Sequence, residues 1–332
     1  MKNRIAGLFF VLGLIAVLLL GACAADSPNT SGTVPQTSSE VSNDVVSAPP
    51  AAAPAASSEL PERADFSDRV FDVSQDAGKL TVRFLNLTLD HHHANGMTTT
   101  GDSAVYASPD GQIMLIDCGN YSAGEEVVQQ LKQLGVSKID IFVASHPHAD
   151  HIGGFPRIAE QFEIGQIYVN GHLYSTGTFD SMMTIIQEKK IPMTSLKEGD
   201  QFDFGKDVDV HVYNPPEGYT FETQLGGHND ANNGSLCLKL LYGDSSFLRG
   251  GDLYLDAEKR LSEQYPEEIH ADVMKLNHHG WDTSNGKQYI AAVSPKIVVG
   301  MHDSIPSMTV ALRCRAAGAQ TFYNCIDGAV RI

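Results

Sequence analysis

Ser145-His146-Pro147-His148-Ala149-Asp150-His151 follows directly on the apolar run Ile139-Asp140-Ile141-Phe142-Val143-Ala144. The run reads as a buried strand, so the polar segment is set at that strand's C-terminal end. Along extended backbone alternate side chains share a face, which sends His146 and His148 the same way. Asp150-His151 then turns toward a second position. Imidazole nitrogen and carboxylate oxygen at this density suit a divalent ion, zinc or manganese. One tetrahedral ion needs about four ligands, so the cluster half-fills two neighbouring sites. A solvated loop with incidental histidines is the bland alternative, but it has no use for a buried strand directly before it.

The chain around this segment has 332 residues, enough for one large or two ordinary domains. It opens with Lys2 and Arg4, an apolar stretch from Ile5 to Leu20, and Gly21-Ala22-Cys23. A basic start, an apolar core and small residues before a cleavage point make a secretory signal. With cysteine next, residues 1–22 resemble a bacterial lipoprotein signal, which implies a lipid on Cys23 and a protein anchored outside the cytoplasm. The apolar stretch is short for an uncleaved membrane crossing. Residues 23–65 are rich in Ser, Thr, Pro and Ala and read as a disordered tether. The folded domain is expected over 66–332.

The formal charge is −17, and −19 once Lys2 and Arg4 leave with the signal. No Lys/Arg cluster marks a basic face, so binding along a nucleic-acid backbone is not favoured, although metal ions would add local positive charge. Cys118 and Cys237 lie in apolar runs and read as buried thiols. Cys314 and Cys325 flank a ten-residue segment in a chain exported to an oxidising space; the sequence leaves a disulfide between them open. Nothing in the sequence sets an oligomeric state.

Beyond residue 66 strands and helices alternate. Strand patterns fall at 80–85, 113–117, 139–144, 166–169, 208–213, 235–241, 246–248, 273–276 and 296–299. Helical periodicity falls at 125–134, 179–188, 256–264 and 308–317. Two sheets packed face to face with helices outside, a four-layer αββα sandwich, account for that order. Two further strand ends complete the metal constellation: Phe247-Leu248-Arg249-Gly250-Gly251-Asp252 and Leu276-Asn277-His278-His279-Gly280.

In this order the motifs resemble the metallo-β-lactamase-fold hydrolases. Within them the chain is most similar to the soluble domain of ComEC-type competence proteins and their free-standing relatives, including phosphorylcholine esterases. Gly101-Asp102-Ser103-Ala104, Leu115-Ile116-Asp117-Cys118-Gly119, Asn232-Asn233-Gly234-Ser235-Leu236, His278-His279-Gly280 and Asp327-Gly328-Ala329-Val330 carry that closer likeness. The resemblance implies that His146 and His148 bind one ion and that Asp150, His151 and His279 bind the other. Asp252 would bridge the two. His278 would face substrate or donate a proton. The superfamily's further histidine falls near Asn232-Asn233 here; His228 is either its substitute or a solvated loop imidazole. The run His91-His92-His93 is either a substrate contact or a solvated insertion. Asp150, His278 and Asp102 are the candidate catalytic residues, Asp102 because the family's Gly-Asp turn abuts the site.

Two adjacent cations bring the pKa of a bridging water toward neutrality and clamp an oxyanion. Hydrolysis of a phosphoester, small-molecule or oligomeric, by a bridging hydroxide is therefore the first reading. Hydrolysis of a lactone or β-lactam, and a non-catalytic metal-binding surface protein, are the alternatives.

Overall fold

Strands that are buried on both faces read as unbroken apolar runs, and three separate cores here show why. The computed structural model describes residues 67–87, 100–219 and 228–332. The expected signal, Cys23, the tether and the run His91–His93 lie outside the described residues. Strands in chain order are β1 Thr81–Phe84, β2 Ala104–Ala107, β3 Ile113–Ile116, β4 Lys138–Val143, β5 Glu163–Val169, β6 Met193–Ser195 and β7 Gln201–Asp203. They continue with β8 Asp209–Asn214, β9 Cys237–Tyr242, β10 Ser245–Arg249, β11 Val273–Lys275, β12 Ile297–Gly300, β13 Gln320–Tyr323 and β14 Val330–Arg331.

They form two sheets, ordered β14-β1-β2-β3-β4-β5-β6 and β13-β12-β11-β10-β9-β8-β7. Each sheet has an antiparallel portion, β1 to β3 and β7 to β10, that continues into parallel strands, β3 to β6 and β10 to β13. The last strand returns to the first sheet, pairing Val330 with Phe84. Alternation along β3 sends Met114 and Ile116 into a core between the sheets, where they join Val210, Leu238, Leu240 and Val299. Leu115 points the other way, toward Val127, Val128 and Leu131 of the helix Gly124–Gln133. On the outer face of the second sheet, Met274 and Val298 pack with Leu261, Ile290 and Val310 from three helices. Three cores between four layers make the expected αββα sandwich.

All nine expected strands and all four expected helices are present, within a few residues of their expected ends. Short strands were missed: β2, β6, β7, β13 and β14 have two to four residues each, too few for a period to show. Cys118 and Cys237 are buried thiols, as expected, and Cys314 and Cys325 are free, the first buried and the second exposed. The disulfide left open by the sequence is therefore absent.

Candidate metal centre

The candidate ligands converge because their segments leave one edge of the sandwich. Asp117 follows β3, His146 to His151 follow β4, Asp252 follows β10 and His279 follows β11. Carboxyl ends of parallel strands are where side chains from several elements meet. Asp102 precedes the antiparallel β2 and so reaches the same edge. There the backbone of Gly101 packs against Asp150; a Cβ at Gly101 would lie 1.8 Å from the Asp150 carbonyl oxygen, and its φ is +81°. Only glycine fits that approach. After β4 the chain bends at residues 145–147, is extended at His148 and then makes one helical turn, Ala149–Ile152. That turn carries Asp150 and His151 round to the second position.

Two imidazoles are held from behind by buried carboxylates. Asp117 Oδ2 lies 3.0 Å from His151 Nδ1, and Asp102 Oδ1 lies 3.0 Å from His279 Nδ1. Both rings therefore present Nε2 forward, as metal-binding histidines do when a carboxylate fixes the far nitrogen. His151 Nε2 is 3.1 Å and His279 Nε2 is 3.2 Å from a single atom, Asp252 Oδ2. His146 Nε2 is 3.9 Å from that oxygen and 3.0 Å from His148 Nδ1. Asp150 Oδ2 lies 3.1 Å from His279 Nε2. The structure thus brings His146, His148, Asp150, His151, Asp252 and His279 together. His146, His151, Asp252 and His279 are buried, while His148 and Asp150 are half-buried.

Behind the carboxylates sit two buried cations. Arg249 donates to Asp117 Oδ2 at 2.9 Å and to Asp102 Oδ2 at 3.4 Å. Lys275 donates to Asp252 Oδ1 at 3.3 Å and pairs closely with Asp102 Oδ2. Ser145 holds Asp117 through its backbone N–H at 2.8 Å and its hydroxyl at 2.9 Å.

Electrostatics follow from this arrangement. Burial works against charge on His151, but Asp252, Asp117 and Asp150 outweigh it and raise its pKa to about 10. His279 is likewise raised against burial, by Asp252 and Asp102. Burial, then His151 and His148, hold His146 well below the usual histidine range. Burial opposes ionisation of Asp252, yet His151, His279 and Lys275 keep its carboxyl well below the usual range. The surrounding carboxylates thus favour the protonated form of both His151 and His279. Mixed imidazole and carboxylate donors, aimed at one region and attracting positive charge, fit divalent ions.

Asp102 also comes within 4.8 Å of His151, Asp252 and His279 through their ligand-type atoms. It sits on the Nδ1 side of His279 and is fully buried, with its second oxygen taken by Lys275 and Arg249. The structure places Asp102 behind His279, whose ring it orients.

His278 and His279 stand in a short 3₁₀ turn, Asn277–Gly280, with φ of 46° and 56°. Left-handed backbone is strained for any residue but glycine, so the turn needs bracing. Glu258, buried on the helix Leu255–Gln264, supplies it. Its Oε1 accepts from Asn277 Nδ2 at 2.8 Å and Asn285 N at 2.6 Å, and its Oε2 accepts from Gly286 N at 2.8 Å. Asn285 in turn exchanges two 2.9 Å bonds with the backbone of Asn277. The result points His279 inward and leaves His278 half-buried, its Nδ1 2.6 Å from Thr283 Oγ1 and its ring 5.0 Å from that of Tyr254. Burial lowers the His278 pKa to about 4.

His228 opens the helix His228–Asn233, and its side chain lies outside what the structure describes. Of the pair Asn232-Asn233, near which the resemblance puts the superfamily's further histidine, Asn232 is buried and Asn233 Oδ1 accepts from Tyr254 N at 3.2 Å. Sequence reasoning gave no role to Asp117, Arg249, Lys275, Glu258 or Tyr254. A signal existed for two of them: Arg249 and Lys275 are lone charges in apolar strand runs, and buried charge is rare without a partner.

A four-layer sandwich with an imidazole–carboxylate cluster at its strand ends defines a class of metal-dependent hydrolases. Residues 97–265 match the Metallo-beta-lactamase superfamily, and the chain belongs to it. It is similar to ComE operon protein 3 of Bacillus subtilis (strain 168), 26% identical over 180 residues, 54% of this chain and 22% of that protein. It is also similar to competence protein ComA of Neisseria gonorrhoeae, 27% identical over 225 residues, 66% of this chain and 29% of that protein. The chain thus spans less than a third of the length of either relative, and both agree with the ComEC-type resemblance of its motifs. Among solved structures it is similar to Zn(2+)-bound PqqB from Methylobacterium extorquens, with 12% identity, TM-score 0.48, and coverage of 76% of this chain and 99% of that one.

Proposed function

We propose that the protein is an exported, lipid-anchored hydrolase that uses two divalent ions, zinc foremost and manganese second, to cleave phosphoester bonds. The observation that carries this reading is the charge inventory of the centre. Asp102, Asp117, Asp150 and Asp252 bring four negative charges, and Lys275 and Arg249 return two. With the imidazoles neutral, two divalent ions leave two positive charges in excess. A phosphoester supplies the matching anion.

His146 and His148 would hold one ion and Asp150, His151 and His279 the other, with Asp252 shared. Bound there, the ions would supply Lewis acidity and a lowered water pKa. The chain's own residues do the rest. Asp117 and Asp102 keep Nε2 of His151 and His279 forward. Thr283 occupies Nδ1 of His278, which leaves Nε2 of that ring to hydrogen-bond a substrate oxygen, and with its pKa lowered to about 4 the ring does so as the neutral imidazole. Tyr254 packs against the same ring and steadies it.

The test is one metal-loaded preparation assayed on bis-p-nitrophenyl phosphate, single-stranded DNA, phosphorylcholine esters and nitrocefin. Turnover of a phosphoester is expected; turnover of nitrocefin alone would overturn the reading. Anchoring is tested separately. Detergent partitioning should require Cys23, and a Cys23→Ser protein still wholly membrane-bound would exclude the lipid. Among the described residues no helix is long and apolar enough to cross a membrane.

A further inference from the structure

Lys275 ends a strand whose other members, Val273 and Met274, belong to the core, and its own side chain is fully buried. An ammonium has three donors, and each finds an oxygen. Lys275 Nζ donates to Gly251 O at 2.9 Å, to Asp252 Oδ1 at 3.3 Å, and more closely still to Asp102 Oδ2. On Coulomb grounds this cation is misplaced. A positive charge beside a metal-binding carboxylate weakens that carboxylate's hold on other cations. What Lys275 contributes instead is geometry. A carboxylate with both oxygens open can wrap one ion, whereas one with a single open oxygen cannot. Asp252 Oδ2, the oxygen Lys275 leaves open, is the atom within 3.1 to 3.9 Å of Nε2 of His151, His279 and His146.

We propose that Lys275 is a positioning residue that closes Oδ1 of Asp252 to metal, so that Asp252 offers Oδ2 alone to both ions. Through Asp102 the same ammonium fixes the ring of His279. One buried cation thereby sets the shared ligand and one imidazole together. The inference rests on the two-ion reading of the site.

The experiment is titration of the metal-stripped full chain and its Lys275→Met and Lys275→Gln variants with Zn²⁺ by calorimetry, alongside absorption spectra of the Co²⁺-loaded proteins. Circular dichroism shows that each variant is folded. Removing a cation should, by charge alone, tighten both binding steps. Positioning predicts the opposite sign: Lys275→Met weakens the second step by about tenfold or more, the scale on which partners behind metal ligands act. Its Co²⁺ bands should change as well. Lys275→Gln retains a donor for Asp252 Oδ1 and should show a smaller loss, which also covers the case in which Lys275→Met does not fold. A parent that binds two ions, with Lys275→Met binding both as tightly or more tightly, or with Lys275→Gln binding more tightly than the parent, overturns the proposal alone. A parent that binds only one ion overturns the two-ion reading and this proposal with it.

Discussion

Glu258→Ala should damage the metal centre although Glu258 touches none of the candidate ligands. The carboxylate accepts three hydrogen bonds, from Asn277 Nδ2, Asn285 N and Gly286 N. Each buried donor left without an acceptor costs about 1–3 kcal/mol. The Gly286 bond is only part-buried, so water can replace the lost acceptor there and its share falls at the low end. Burial raises the Glu258 pKa, so deleting the carboxylate also removes a desolvation cost and offsets part of the loss. A net destabilisation of about 3 kcal/mol follows, which for a domain of this size lowers Tm by about 6–12 °C. The functional effect should exceed the stability effect. His278 and His279 hold left-handed backbone at a cost of about 1–3 kcal/mol each, and a freed turn relaxes that strain by moving His279 Nε2. Thermal unfolding and competition with a chelator measure the two effects. Leu261→Ala is the control: Leu261 lies on the same helix, faces the outer core, and should cost about 2–5 kcal/mol without touching the turn. If both variants lose metal affinity equally, or if Glu258→Ala unfolds within about 1 kcal/mol of the parent, the brace does not act as argued.

Other outcomes bear on the centre directly. Two divalent ions per chain are expected by mass spectrometry of metals, with Asp252→Ala losing both activity and metal more completely than His228→Ala, because a shared carboxylate serves both ions. His279→Ala should shed metal and rate together, whereas His278→Ala should keep its metal and slow turnover by about 10²–10³-fold, the scale for loss of a hydrogen-bond donor to developing charge; metal loss confined to His278→Ala would reverse the two roles. Zn²⁺ binding near pH 8 should release at least one proton per chain, since His151 is raised to about 10 in the metal-free protein and must be neutral to bind, and His279, raised in the same direction, adds to that count. Calorimetry in buffers of different ionisation enthalpy counts those protons, and a count near zero would contradict the raised values.

Much of the architecture was legible because burial writes itself into composition. The run Ile141–Ala144 lies between two cores, and only apolar residues suit both of its faces. The ligand candidates were legible for a related reason, since imidazoles and carboxylates at strand ends have no part in either core. What stayed hidden was pairing across long sequence distance. Asp117 and His151 are 34 residues apart, and Asp102 and His279 are 177 apart. No local pattern links such partners; only the return of each strand to one edge does. The Glu258 brace was hidden in another way. Its helix shows an ordinary amphipathic period, and a glutamate on it reads as a solvated face until the helix is packed.

The buried arginine of β1 shows what separates a site from a structural charge. Arg83 is as buried as Arg249, and it too interrupts an apolar strand. Its guanidinium meets the carbonyl oxygens of Val70 and Asp72 and the carboxylate of Asp76, whose other oxygen meets Arg331, so the network ends in backbone and a second arginine and reaches no imidazole. Arg249 meets Asp117 and Asp102, and each of those carboxylates carries on to an imidazole Nδ1. Order therefore runs outward, from cation to carboxylate to ring to the Nε2 atoms around Asp252. A chain of fixed partners of this kind holds each Nε2 to one direction, and a substitution anywhere along it should be felt at the ring it supports.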